Sequence, residues 1–124
     1  MSDAARPVKL KVAEAVDRLA DELERLSHRI HATPELCFKE EQAQAWLTEF
    51  LAKHGARVER GVGGLPTAFL ARVGNGQGPK VAILAEYDAL PEIGHACGHN
   101  LIAGGALGAF LALAQQREIG RAHV

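Results

Sequence analysis

The stretch Val81-Ala-Ile-Leu-Ala-Glu-Tyr-Asp-Ala-Leu-Pro-Glu-Ile-Gly-His-Ala-Cys-Gly-His-Asn100 decides how the rest of the chain is read. Its first five residues are apolar without alternation, the pattern of a strand buried on both faces in the middle of an α/β sheet. The segment from Glu86 to Asn100 is polar and turn-prone. Leu101–Gln116, rich in Ala and Gly, then reads as a helix whose small residues allow close packing against a sheet. A strand, a loop and a helix in that order put the loop where sites collect in open α/β sheets, beyond the carboxyl ends of the strands.

Toward the N-terminus the period becomes helical. Val12, Val16, Leu19, Leu23, Leu26 and Ile30 recur at spacings of three and four, which predicts a helix over Val12–Ile30. Glu14 with Arg18 and Asp21 with Arg25 are i,i+4 pairs on its polar side. Pro34 disfavours helical backbone at Thr33, so the helix stops just before it. A second helix is expected over Lys39–His54, with Ala43, Trp46, Leu47, Phe50 and Leu51 as its apolar stripe and Gly55 to end it. Arg57–Arg60 and Thr67–Val73 read as strands separated by a turn at Gly61–Pro66. The glycine-rich Gly74–Pro79 suits a longer hairpin loop between antiparallel strands. The order is helix, helix, three strands, helix, with no repeat and no linker.

The 124 residues fit one small domain, and 48% hydrophobic with 23% charged residues is ordinary for a globular protein. Fourteen basic and fifteen acidic residues give a net charge of -1, so no basic excess points to nucleic acid. Residues 1–7 lack an apolar signal core, and Leu101–Ala114 is too short to span a bilayer. Two cysteines in such a chain do not suggest a disulfide framework. A cytoplasmic protein with neither a membrane nor a nucleic-acid partner is expected.

The chemistry is concentrated in the loop. Cys97 and His99 are two residues apart, a spacing that on extended backbone sends both side chains to one side. A thiolate and an imidazole suit zinc or another borderline transition metal. Gly98 between them relieves crowding, and the N-terminus of the following helix would favour the thiolate. Asn100 is the expected N-cap and a candidate contact around the site. Three ligands in a row would be awkward in a tetrahedral site, so His95 is assigned to substrate contact or to support of the ligands. Asp88 is the candidate catalytic-site carboxylate, set behind a ligating histidine to fix its ring and tautomer. Glu86 is the second nearby carboxylate. Each has a plainer reading: Cys97 as a small buried hydrophobe, Asp88 as a turn cap, Glu86 as the partner of a surface lysine. Their crowding into fifteen residues between a strand and a helix favours metal. Cys37 reads as a packed thiol, and His28, His31 and His54 as surface or capping residues. No Gly-x-Ser-x-Gly elbow or phosphate loop occurs.

At these residues the sequence resembles the dinuclear metallopeptidases and amidohydrolases of the aminoacylase and carboxypeptidase type, most of all the aminobenzoyl-glutamate hydrolase and dipeptidase-like branch. The resemblance is carried by Ala85-Glu-Tyr-Asp-Ala-Leu-Pro91 and Gly94-His-Ala-Cys-Gly-His-Asn-Leu-Ile102, supported by His31-Ala-Thr-Pro-Glu-Leu36 and Leu65-Pro-Thr-Ala-Phe69. It implies a three-layer α/β/α catalytic domain and two divalent ions, zinc or manganese first, then cobalt or nickel. It also implies metal-assisted hydrolysis of an amide or peptide bond to an amino acid, on an N-acyl amino acid or a dipeptide, and a homodimer at full length. By motif, Cys97 and His99 match metal ligands and Asp88 the aspartate that orients one. Glu86 stands where a neighbouring branch has aspartate.

The family's general-base glutamate and remaining ligands have no match here, so residues 1–117 are expected to be the N-terminal part of an incomplete catalytic domain, inactive alone. Glu118–Val124 breaks the helical pattern and looks like a translated sequencing adapter, a non-native tail. The alternative is a small non-enzymatic metal-binding or regulatory module. A cysteine hydrolase using Cys97 and His99 ranks last, because such neighbours rarely make a nucleophile–base pair with a third orienting group.

Overall fold

The computed structural model describes residues 5–116. Among these residues three α-helices, α1 (Ala5–Ala32), α2 (Glu41–Lys53) and α3 (His99–Ala114), accompany a short 3-10 turn (Val62–Gly64) and a two-stranded antiparallel sheet, β1 (Arg57–Arg60) and β2 (Phe69–Arg72). The mixed α/β composition agrees with the sequence reading.

Helix α1 starts earlier than its apolar period, because Pro7 is tolerated in a first turn where N–H groups have no helical partner. Leu19, Leu26 and Ile30 are buried along it, and Arg29 and His31 in its last turn complement the helix dipole. Pro34 ends it as expected, with Thr33 N–H bonded back to Ile30 O at 3.1 Å. Helix α2 buries Ala43, Leu47, Phe50 and Leu51, while Trp46 lies half-buried beneath the Arg29 guanidinium, 4.0 Å from the ring centre. Gly55, at φ +90°, ends this helix.

The start of α2 is capped from outside. Gln42 and Ala43 N–H donate to the two oxygens of the Glu35 carboxylate at 3.0 and 2.8 Å. The Glu35 carbonyl in turn accepts from Ala89 N–H at 2.7 Å, within a parallel bridge between Leu36 and Ala89. One residue thus ties α2 to the backbone beside Asp88. The Gln44 amide donates to the carbonyls of Pro66 and Ala68, both at 2.8 Å, and holds the turn before β2. β1 and β2 pair in the register Arg57 to Arg72 and Arg60 to Phe69. The hairpin closes through Gly61–Ala68, where a turn was expected, whereas Gly74–Pro79 joins no second hairpin, since no strand follows β2 among the described residues.

The larger correction concerns Val81–Ala85. Among the described residues none of the five belongs to a strand, and Leu84 is 86% and Val81 49% exposed. A doubly buried strand needs hydrogen-bonded neighbours and cover on both faces. Instead, a cavity of about 280 Å³ lined by Phe69, Ile83, Tyr87, Leu107 and Phe110 separates this segment from β2 and α3. The core lies to one side, where α1, α2 and α3 bring Ile30, Leu47, Leu51, Leu107 and Leu111 together.

Helix α3 lies along α1. Gly104 and Gly108 permit the approach: a Cβ at Gly108 would meet Leu23 Cδ1 at 2.8 Å, and one at Gly104 would touch Ser27. The helix begins two residues earlier than expected, at His99, so the site loop opens directly into its first turn.

Candidate metal centre

The loop that ends at α3 is fixed in short steps. Leu90 and Gly94 exchange backbone hydrogen bonds at 2.9 and 3.1 Å, with Glu92 and Gly94 both at positive φ. Gly98 N–H donates to His95 O at 3.0 Å, and Gly98 then turns left-handed at φ +82°. Its carbonyl accepts from Leu101 and Ile102 N–H, so Gly98 occupies the N-cap position expected of Asn100.

Asn100 instead lies within α3, buried, and its side-chain amide donates to Ser27 Oγ at 3.0 Å. It joins α3 to α1, and among the described residues its side-chain contact is on that side, away from the loop's carboxylates. A second correction follows from Gly98. Cys97 and His99 do not share one side of an extended strand, because Cys97 sits in a turn and His99 in the helix. Asp88 is what they have in common. Its side-chain Oδ1 lies 2.7 Å from His99 Nδ1, and its carbonyl oxygen is 4.0 Å from Cys97 Sγ. Glu86 does not face a lysine; its Oε2 lies 3.1 Å from His99 Nε2.

Tyr87, between the two carboxylates, is buried. Its hydroxyl donates to Thr67 O, and its ring stacks on Phe69 with centres 5.7 Å apart. Burial, and then the charge of Glu40, push its phenol up to about 12. Glu40 is itself buried and accepts from Lys39 N–H at 2.9 Å and Thr67 Oγ1 at 3.3 Å. Glu35 and Thr67 lie in the two shorter segments that support the resemblance, but their roles, like that of Glu40, depend on contacts made across the fold.

His95 is buried, and neither ring nitrogen has a hydrogen-bond partner. Burial, then the neighbouring His31 and His99, hold its pKa below the ordinary imidazole value. The His31 ring centre is 6.3 Å away. Cys37 and Cys97 are both free and exposed, so Cys37 is not the packed thiol its sequence context suggested. His28 and His31 are exposed, and His54 caps the end of α2. His123 and the tail Glu118–Val124 lie outside the described residues.

The donor set suits a divalent cation. A carboxylate beside Nδ1 orients the imidazole, whose Nε2 lies on the side of Glu86. An exposed thiol stands nearby on the same aspartate. Thiolate, imidazole and carboxylate together suit zinc and its neighbours. Among the described residues no group of three or more His, Cys, Asp or Glu closes around one point, so the loop offers part of a coordination sphere rather than a cage. Among them also, no helix is long and apolar enough to cross a membrane.

No family model matches the sequence. The chain is 43% identical over 115 residues to the mouse (Mus musculus) Xaa-Arg dipeptidase, covering 86% of this chain and 27% of that protein. It is 33% identical over 124 residues to thermostable carboxypeptidase 2 of Saccharolobus solfataricus, covering 88% of this chain and 31% of the relative. With a subunit of the p-aminobenzoyl-glutamate hydrolase of Escherichia coli it shares 35% over 105 residues, 71% of this chain and 22% of that one. The chain thus spans between a fifth and a third of the length of these relatives. Similarity to a dipeptidase, a carboxypeptidase and an amide hydrolase at once places it: the chain belongs to the peptidase and amidohydrolase family of the aminoacylase and carboxypeptidase type.

Proposed function

We propose that this chain carries part of the metal centre of an amidohydrolase or dipeptidase that cleaves an amide bond to an amino acid. The supporting observation is His99, at the start of α3, whose Nδ1 lies 2.7 Å from Asp88 Oδ1 and whose Nε2 lies 3.1 Å from Glu86 Oε2. Cys97 and His99 are the ligands, and Asp88 is the positioning residue that fixes the imidazole's tautomer and raises its basicity. When bound, a divalent ion supplies Lewis acidity toward an amide carbonyl and toward water. The names of the relatives, which concern dipeptides, carboxypeptidase substrates and p-aminobenzoyl-glutamate, support a small substrate with an amide bond to an amino acid. Two ions, zinc or manganese, are the cofactors of the complete site. Two ions need roughly four or more protein ligands, so the chain alone is inactive.

Titration of the 124-residue chain with Co²⁺ tests this. A thiolate charge-transfer band should grow in, vanish in Cys97→Ala, and require about tenfold or more Co²⁺ in Asp88→Asn. Amide hydrolysis should be absent with Zn²⁺, Mn²⁺ or Co²⁺ present. No band in the unsubstituted chain would refute the metal reading, and robust turnover lost in Cys97→Ala would refute the inactivity.

A further inference from the structure

The segment Lys80-Val-Ala-Ile-Leu-Ala-Glu86 is complementary to its own reverse. Laid antiparallel on a second copy about Ile83, it sets Lys80 against Glu86 at both ends and apolar residues against each other between them. A parallel arrangement would instead set Lys80 against Lys80 and Glu86 against Glu86.

The structure leaves this run ready for such a contact. Among the described residues, Val81–Ala85 belong to no strand and make no backbone hydrogen bond, so their N–H and C=O groups are open to another backbone. Ile83 and Ala85 are half-buried and Tyr87 is buried, whereas Ala82, Leu84 and Glu86 are exposed. That alternation belongs to an extended segment with one covered face. In the register about Ile83, Leu84, which is 86% exposed, lies over Ala82 of the second copy, a large side chain against a small one. Lys80 and Glu86 fall on the same outer face. Both charges are available: Lys80 is exposed with no ion-pair partner among the described residues, and the Glu86 side chain, whose Oε2 faces His99, is 63% exposed. A net charge of -1 sets little repulsion between copies.

We propose that Val81–Ala85 is an interface between two copies of this chain, a two-fold antiparallel strand pair centred on Ile83 and held at each end by Lys80 of one copy and Glu86 of the other. The contact forms whether or not the neighbouring loop holds metal. Its area is small, so the dimer is weak and depends on concentration.

Sedimentation equilibrium of the full chain, at rising concentration up to about 0.5 mM, tests this. The unsubstituted chain should pass from monomer to dimer. Lys80→Glu and Glu86→Lys each turn two attractive end pairs into two repulsive ones, and each should weaken the dimer by about tenfold or more. The double exchange, Lys80→Glu with Glu86→Lys, restores both pairs and should bring the dimer back to within about threefold. Lys9→Glu, an equal change of net charge on exposed α1, should leave association unchanged. Circular dichroism should be unaltered in every variant, since the substituted side chains are exposed. A chain that stays monomeric throughout, a dimer indifferent to the single reversals, a loss that the double exchange does not recover, or an equal loss in Lys9→Glu would each overturn the proposal.

Discussion

Tyr87 stands between two carboxylates that face His99 and turns its own ring the other way, onto Phe69. Its hydroxyl and the buried Glu40 both bond to Thr67, so the register of Glu86 and Asp88 is set from beneath. This phenol predicts an alkaline limb of stability. Its folded pKa is raised from 10.0 to about 12, chiefly by burial. The folded state prefers the neutral form, so the contribution is full below the unfolded value and is lost as pH rises through the folded one. Unfolding by urea at about pH 8 and about pH 11 should show a loss on the order of 1 kcal/mol that Tyr87→Phe lacks. At the lower pH the same variant should cost about 1 kcal/mol for the missing hydrogen bond. Residue types at the site were legible in the sequence, a thiol, imidazoles and carboxylates crowded into one loop. Which atom faces which was not. Asn100 turned toward Ser27 and Glu86 toward His99, because helix α3 begins at His99 and rotates its first side chains about its axis.

Among the elements, α1, α2 and β1 follow from local signals: a helical period, a proline stop and a left-handed glycine. Helix α3 is the informative case, because its glycines do different things. Gly108 meets Leu23 across the α1 contact, whereas a Cβ on Gly105 would meet nothing within 4 Å. Gly105→Ala should therefore stabilise the chain by about 0.5–1 kcal/mol, read as a higher thermal midpoint. Gly108→Ala should gain less or lose, since Leu23 must move. In sequence the two glycines look alike. Val81–Ala85 fails as a strand for a related reason. Composition reports what a segment could bury, but a strand exists only where another backbone lies within hydrogen-bonding reach.

At the scale of the whole molecule, apolar surface is left open. Leu84 is 86%, Phe38 69%, Leu101 68% and Ile93 62% exposed, and Leu84 flanks the cavity beside β2 and α3. The apolar lining that Leu84 shares with this open cavity is surface of the kind that promotes association. Leu84→Lys should lower the self-associated fraction in sedimentation velocity while leaving the thermal midpoint within about 0.5 kcal/mol equivalent, as for other exposed positions. An unchanged distribution would show that this segment is not the adhesive surface. By itself the sequence determined the helical periods, their stops, the loop that holds the candidate ligands and the family, because these depend on neighbours a few residues apart. The tertiary structure alone decided that Glu35 caps α2, that Asp88 and Glu86 take opposite nitrogens of one ring, and that an apolar run lies open instead of paired. Each of these joins groups far apart along the chain or needs a surface to pack on, and no local pattern encodes that proximity.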